Sequence, residues 1–262
     1  MVGGSGKRVL LTGAGGIVGT VLRRALRGRY ELRLLSRQRL TDPPRKREEL
    51  VLADVADYDE LRPALEGVDA IVHLAASARP ESTWEQVLPA NIIGTYNVFE
   101  AARDAGVGRV VFASSTHAMG MYYRDARPLA YDLPPRRRIG DKDEVRPDSF
   151  YGLSKVFGEA LGRFYHEEHA MAVICIRIGF VTPTPDGRFR PMRDMARTGD
   201  PELMAGAIWL SHRDCAQLFT RALEADTAWA VVYGTSDNPR QVWDLTSARR
   251  LLGYAPQDRA PD

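Results

Sequence analysis

The 262-residue sequence contains only two cysteines, carries a formal net charge of +2 and lacks any long hydrophobic run. Cys175 and Cys215 form no C-x-x-C pair, so the common zinc and redox-dithiol motifs are absent. The small net charge gives no bulk electrostatic reason to bind nucleic acid. No apolar segment approaches the ~18 residues of a membrane span, and none precedes the first predicted strand. We therefore expect a cytoplasmic protein with no metal site and no nucleic-acid or membrane partner.

The stretch from Lys7 to Gly19, K-R-V-L-L-T-G-A-G-G-I-V-G, predicts a dinucleotide-binding turn. Its apolar first half indicates a strand, and residues at helical spacing follow the last glycine. In such a turn Gly13 permits the sharp bend, Gly16 lets a pyrophosphate approach the backbone, and Gly19 lets the helix pack against the strand. The spacing is G-x-x-G-x-x-G rather than the commoner G-x-G-x-x-G, so the strand and helix on either side carry the prediction.

Alternation of strands and helices predicts an α/β fold, a doubly wound parallel (Rossmann) sheet with a small C-terminal substrate lobe. The predicted strands are Val9–Thr12, Tyr30–Ser36, Glu49–Asp54, Val68–Ala76 and Arg109–Ala113. A long helix is expected from Thr83 to Ala105, and residues 120–148 are interpreted as a loop over the site. We expect a dinucleotide-binding domain with the catalytic helix over residues 1–176. Residues 177–262 are expected to form a substrate-binding lobe interleaved with the sheet.

The end of the second strand, Leu35-Ser36-Arg37, bears on the choice of cofactor. An acidic residue about 20 residues past the glycines usually binds the ribose of NAD, whereas an arginine suits the 2′-phosphate of NADP. No carboxylate occurs here before Asp42. We therefore expect NADP to be preferred over NAD. The alternative is that Arg37 is a solvated loop residue and NAD binds without an acidic partner.

Two further strand ends face the same edge of the predicted sheet. Asp54 and Val55 follow the third strand, where they could touch the adenine, although Asp54 could equally cap the next helix. Small residues, Ala75 and Ala76, end the fourth strand and would let a cofactor lie across it. His73 lies within that apolar strand and is interpreted as a packed core histidine.

The sequence Y-G-L-S-K at 151–155 indicates proton-transfer chemistry. A helix beginning at Asp148 or Ser149 would place Tyr151 and Lys155 one turn apart on the same face. An ammonium group close to a phenol favours the phenolate and lowers its pKa, so Tyr151 could take a proton from a substrate hydroxyl. Ser115 could hydrogen-bond to the same oxygen while a nicotinamide accepts hydride.

Five motifs occur in the order found in the extended branch of the short-chain dehydrogenase/reductase superfamily, which the chain resembles. They are T-G-A-G-G-I-V-G (12–19), H-L-A-A (73–76), N-I-I-G-T-Y-N (91–97), F-A-S-S-T (112–116) and Y-G-L-S-K (151–155). The resemblance implies that Tyr151 is the catalytic base, that Lys155 also holds the nicotinamide ribose, and that Ser115 positions the substrate oxygen. It also implies a homodimer formed through the long helix and the tyrosine-bearing helix. The expected cofactor contacts are Gly13, Gly16, Ile17, Gly19, Ser36, Arg37, Asp54, Val55, Leu74, Ala75, Ala76, Asn91, Tyr151 and Lys155.

Within that branch the chain most resembles uronate dehydrogenases. The segments that carry the likeness are 109–117, 151–159, 177–185, 209–214 and 231–236. The resemblance implies oxidation of C1 of a hexuronic acid to an aldarolactone, with Arg190 facing the substrate carboxylate. Thr116 and Phe180 depart from the Asn and Ser that align there. The expected substrate contacts are Ser77, Thr116, His117 and Arg190.

Two other functions remain open at this stage. One is an epimerase or reductase of a nucleotide sugar, and the other is a sensor that binds NADP without turnover. A final expectation concerns structure alone, because Ser211 and Asp214 have the spacing of a capping box at the start of a helix that runs through Leu223.

Overall fold

A computed structural model of the chain describes residues 6–125, 138–184, 187–188 and 206–261, except for the side chains of Tyr123 and Arg124. Seven parallel strands form the main sheet in the order β3-β2-β1-β4-β5-β6-β9. A separate parallel pair joins β7 to β8. The strands are β1 (Arg8–Thr12), β2 (Glu31–Ser36), β3 (Glu48–Leu52), β4 (Ala70–His73), β5 (Arg109–Ser115), β6 (Ala172–Ile178), β7 (Phe180–Val181), β8 (Trp209–Leu210) and β9 (Trp229–Gly234).

Helices cover both faces of this sheet. The side chains of Val9 and Leu11 pack on one face with α1, α7 and α8, and Leu10 packs on the other with α2, α4 and α6. This alternation along β1 is the period of a strand buried on both sides, and it confirms the doubly wound α/β prediction. The helices are α1 (Ile17–Leu26), α2 (Tyr58–Leu61), α3 (Trp84–Val87), α4 (Gly94–Asp104), α5 (Met121–Asp125), α6 (Phe150–His169), α7 (His212–Glu224) and α8 (Thr246–Leu252).

The strand order reverses at β1, which lies between β2 and β4. Ligands of such sheets bind in the crevice beyond the carboxyl ends of the strands at this reversal. The glycine turn after β1 and the small residues after β4 therefore lie at the same crevice. Tyr151 and Lys155 lie on α6, which packs against β5 next to β4 in the sheet.

The fourth strand and the long helix differ from prediction. β4 ends at His73 rather than Ala76, because the amides of Leu74 and Ala75 donate to the Thr12 hydroxyl (both 3.1 Å) instead of continuing the ladder. The helix expected from Thr83 to Ala105 consists of α3, a π-helical turn at Leu88–Ile93, and α4. Pro89 lies in that turn and has no amide hydrogen to donate.

The helix caps settle one predicted choice and correct one prediction. Ser149 caps α6, since its hydroxyl accepts from the Gly152 amide at 3.0 Å, whereas Asp148 has another role described below. Ser211 caps α7 by accepting from the Asp214 amide, as predicted. The box is not closed, because the Asp214 carboxylate accepts instead from the Ser236 hydroxyl and from backbone amides near the C-terminus. In the described ranges no helix combines the length and apolar character needed to cross a membrane.

Candidate active site

The turn between β1 and α1 has the backbone that its glycines predict. Gly13 has φ +66°, and a Cβ there would lie 2.8 Å from the Ala75 amide nitrogen. A Cβ on Gly19 would overlap the carbonyl oxygen of Gly13. Both positions therefore require glycine, one for its conformation and one for close helix packing.

The N-terminus of α1 is open to an anion. Gly16 is the N-cap residue and provides no side-chain hydrogen bond, the first turn contains no acidic residue, and Ile17 is 45% exposed. Uncapped amide groups at a helix start carry partial positive charge and bind phosphate oxygens. The turn and this first helical turn thus fit a dinucleotide, whose pyrophosphate they would hold.

A series of hydrogen bonds between side chains fixes the ends of β1 and β4 beneath this turn. The Thr12 hydroxyl accepts from two amides after β4, so its own hydrogen must go to His73 Nδ1 at 2.8 Å. Nδ1 is then the acceptor, and the protonated Nε2 donates to the Thr95 hydroxyl at 3.2 Å. Burial lowers the pKa of His73 to about 3, with the Lys155 charge acting in the same direction. His73 is therefore a neutral core residue, as predicted.

Ser115, Tyr151 and Lys155 meet at the end of β5. The Ser115 hydroxyl lies within reach of the Tyr151 phenol, close enough to affect its pKa. Lys155 Nζ lies 5.5 Å from the centre of the Tyr151 ring and 5.0 Å from that of Phe112. All three predicted catalytic side chains are buried, at 4–7% exposure. Sequence spacing therefore predicted their proximity correctly.

The expected electrostatic coupling within this group is not found. Burial raises the pKa of the Tyr151 phenol, and the nearby Ser115 hydroxyl opposes this only in part. Burial also lowers the pKa of the Lys155 ammonium to about 8, against the Glu159 carboxylate, which raises it. The prediction that Lys155 lowers the pKa of Tyr151 is thus wrong for the chain alone. The physical reason is that burial disfavours charge on both groups.

Asn91 holds two parts of the site together. Its Oδ1 accepts from the Ser77 amide at 2.7 Å, while its Nδ2 donates to the Ser77 carbonyl at 3.2 Å and to the Ser154 hydroxyl at 2.9 Å. Ser154 also donates to the carbonyl of Tyr151. Asn91, predicted as a cofactor contact, therefore links α6 to the segment after β4. That segment contains Ser77, a predicted substrate contact.

His117 and Asp148 form a pair beside Tyr151 that the sequence did not predict. His117 Nδ1 lies 3.0 and 3.1 Å from the two carboxylate oxygens, and its ring meets the Tyr151 ring edge-on with centres 5.8 Å apart. Thr116 is buried next to it. The local sequence predicts Asp148 only as one of two possible helix caps, because nothing in it relates Asp148 to a residue 31 positions earlier.

The predicted contacts at the adenosine end lie at and just beyond the carboxyl ends of β2 and β3. Ser36 accepts from the Gln38 amide at 3.3 Å, and Arg37 is exposed. Asp54 does not cap α2, since its carboxylate accepts from the Ala56 amide while Asp57 caps the helix. Asn97, which is not among the predicted site residues, donates to the carbonyls of Val55 and Ala56 and fixes their backbone. Arg190 lies outside the described residues.

Comparisons with known proteins agree on the family and the fold. The model of the NAD dependent epimerase/dehydratase family matches residues 9–230. The NAD-dependent glucose-6-phosphate dehydrogenase of Haloferax volcanii is 41% identical over 97% of this chain and 94% of its own length. The L-arabinose 1-dehydrogenase (NAD(P)(+)) of the same organism is 40% identical over 97% of both chains. The crystal structure of uronate dehydrogenase from Agrobacterium tumefaciens matches with a TM-score of 0.79 and 37% identity, covering 98% of this chain and 86% of that one.

The depressed pKa of Lys155 predicts that this residue costs stability. A change from 10.5 to about 8 corresponds to about 3 kcal/mol. The full cost is present below pH 8, where the folded and unfolded chains both carry the proton. It is relieved between pH 8 and 10.5, where the unfolded chain binds more protons and stability rises with pH.

We expect Lys155→Met to raise the midpoint of thermal unfolding at pH 7 by roughly 5 °C or more. The gain should shrink at pH 10. Scanning calorimetry of both proteins at the two pH values measures this. A variant that is less stable than the wild type at pH 7 would contradict the prediction.

Proposed function

This chain belongs to the NAD dependent epimerase/dehydratase family, and we propose that it oxidises the C1 hydroxyl of a sugar or sugar acid with a nicotinamide dinucleotide. The observation that carries the proposal is the proximity of the Ser115 and Tyr151 hydroxyls, with Lys155 one helical turn from Tyr151. This group lies at the same sheet edge as the open N-terminus of α1. The full-length similarity to named dehydrogenases supports the same reaction class.

The roles of the three residues follow from their positions. The Ser115 and Tyr151 hydroxyls are close enough to each other to contact one substrate oxygen together. Tyr151 takes the proton of the C1 hydroxyl and Ser115 keeps that oxygen in place as the carbonyl of the lactone forms. A bound nicotinamide supplies the acceptor for the hydride that leaves C1. Lys155 would hold the ribose hydroxyls of the bound cofactor, and its ammonium would stabilise the phenolate of Tyr151 against the cost of burial.

We propose a hexuronate as the substrate and an aldarolactone as the product. The segments that resemble uronate dehydrogenases support this choice, as does the similarity to a solved uronate dehydrogenase. Ser77, Thr116 and His117 are the proposed substrate contacts in the described part of the chain, and Arg190 is proposed to pair with the carboxylate. Residues 177–262 are proposed to complete the substrate side. A sugar phosphate and a pentose are the competing substrates.

We propose NADP as the preferred cofactor. In support, Arg37 directly follows β2 and is exposed, and no carboxylate occupies the end of that strand. The names of the relatives include both an NAD-dependent enzyme and one that uses NAD(P), so the preference has to be measured.

We also propose a homodimer. Apolar residues recur at helical spacing along α6, at positions 150, 153, 157, 161 and 164, and Phe150, Leu153 and Phe164 are 45–53% exposed. Exposed apolar residues in such a row are typical of interfaces between chains. The cytoplasmic location remains a proposal, supported by the two free, buried cysteines.

The activity is tested by following reduced nicotinamide with a panel of hexuronates, sugar phosphates and pentoses and both cofactors. We expect turnover of a hexuronate. Tyr151→Phe should lower kcat by at least 100-fold and leave cofactor affinity unchanged, because the phenol acts on the reacting oxygen.

Tyr58→Phe is the matched control, since Tyr58 also loses one hydroxyl hydrogen bond but lies on α2. Its kcat should equal that of the wild type. Cofactor binding without turnover of any sugar would favour the sensor, whereas interconversion of nucleotide sugars without net reduction would favour the epimerase.

Arg37→Asp tests the cofactor preference. The new carboxylate should weaken NADP binding at least tenfold more than NAD binding, because it repels a 2′-phosphate and can accept from a 2′-hydroxyl. Isothermal titration with both cofactors measures this. Arg221→Asp, on the exposed side of α7, makes the same change in net charge and should leave the ratio unaltered. Equal weakening of both cofactors by Arg37→Asp would remove Arg37 from the site.

Sedimentation velocity at micromolar concentration tests the dimer. Phe164→Glu should convert a dimer into monomers, because a buried charge in an apolar interface is costly. Leu52→Glu replaces a residue of similar exposure at the end of β3 and should sediment like the wild type. A monomeric wild type would refute the proposal.

A further inference from the structure

A buried carboxylate lies one turn beyond Lys155 on α6. Both oxygens of Glu159 accept from the Arg177 guanidinium (both 2.8 Å), and the Ser114 hydroxyl donates to one of them at 2.5 Å. Arg177 also donates to the Tyr233 hydroxyl at 2.9 Å. Exposure is 6% for Glu159 and 2% for Arg177. A buried ion pair of this kind often stabilises a fold no better than apolar residues would, so its presence calls for another reason.

Glu159 and Lys155 pack side by side against one strand. They are four positions apart on α6, and their partners Ser114 and Phe112 are two positions apart on the same face of β5. Helix and strand approach closely here, since a Cβ on Gly158 would overlap the Phe112 ring. The carboxylate is thus fixed by β5 and by β6 one helical turn from Lys155, where its charge acts on the ammonium.

Most titratable groups around this pair are uncharged at neutral pH. Burial lowers the pKa of His73 on β4 to about 3, and burial raises the pKa values of Tyr151, Cys175 and Tyr233. In the part of the chain that the structure describes, the charged neighbours of Lys155 from α6, β4, β5, β6 and β9 are therefore Glu159 and, behind it, Arg177.

We propose that Glu159 is a positioning residue of the active site, which keeps the Lys155 side chain protonated and anchors the strand end that carries Ser115. The anchor is Ser114, the residue before Ser115, whose hydroxyl donates to the Glu159 carboxylate. Arg177 donates to both oxygens of Glu159 and so fixes the carboxylate in its place on α6. The consequence for catalysis rests on the proposed function, but the effect on Lys155 does not.

The protonation of Lys155 can be measured without turnover. The chain has four lysines, at positions 7, 46, 142 and 155, so a carbon-13 spectrum of the lysine ε-carbons is simple and Lys155→Met identifies one signal. We expect this signal to titrate near pH 8 in the wild type. In Glu159→Gln, which has nearly the same shape, the midpoint should fall by one pH unit or more, a tenfold change in the protonation equilibrium.

Glu48→Gln is the matched control. Glu48 is buried in a similar pair with Arg23, at 2.6 Å, on the far side of the sheet. This variant should lose thermal stability without moving the Lys155 titration. If Glu159→Gln does not fold, Glu159→Met with Arg177→Met removes both charges and is measured in its place, with the same downward shift expected.

In an active enzyme the alkaline limb of the kcat profile should move to lower pH with the Lys155 titration, while KM for the sugar changes little. A folded Glu159→Gln variant with an unchanged Lys155 midpoint would overturn the proposal, whatever the turnover. A lower Lys155 midpoint in Glu159→Gln, together with a wild type that oxidises no sugar, would uphold the effect of Glu159 on Lys155 and reject the proposed function instead.

Discussion

Burial of the Lys155 ammonium is the constraint on which the site depends. An exposed amine would be charged at neutral pH whatever its neighbours, but at 4% exposure its charge needs support from the protein. That support comes from Glu159 on the same helix, and Arg177 and Ser114 in turn hold Glu159. Residues of α6, β5 and β6 therefore act together to keep one side chain, that of Lys155, protonated. Because Glu159, Arg177 and Ser114 share hydrogen bonds, the loss of one of these three transfers a desolvation cost to the other two.

At the cofactor end of the crevice the hydrogen bonds join uncharged groups, and the buried histidine among them, His73, is neutral. Thr12 receives two amides from the segment after β4 and passes its own hydrogen to His73, which passes one to Thr95. The chain of bonds joins β1, β4 and α4 without any charge. It also ends β4 early and brings Ala75 against Gly13, where a Cβ would not fit. The absence of a side chain at Gly13 and the neutral histidine are thus two parts of one close contact between strand ends.

Local sequence was sufficient for features whose partners are near in the chain. The glycine turn depends on backbone within seven residues, and the Tyr151–Lys155 pair on one helical turn, so periodicity predicted both, together with the parallel sheet. Features formed by distant residues were missed. The pairing of Asp148 with His117 joins residues 31 positions apart, so the sequence predicts Asp148 only as an alternative cap to Ser149. The sequence also predicts that Asp214 closes a capping box, whereas Ser236 and C-terminal amides occupy its carboxylate. The predicted shift of the Tyr151 pKa had the wrong direction, because residue spacing carries no information about how deeply a side chain is buried.

The division between strand ends and connecting segments also bears on which property of the site can vary. Ser115, Tyr151 and Lys155 lie on β5 and α6, whose positions are set by the sheet, and their neighbours are held by buried hydrogen bonds. A substitution there disturbs several elements at once. The proposed substrate contacts Ser77 and His117 lie after strands, where side chains such as Asn91 and Asp148 hold them. Changes in these segments alter the shape and charge that meet the sugar without moving the proton-transfer groups. A fold built in this way can retain one oxidation chemistry while its connecting segments determine which sugar reaches it.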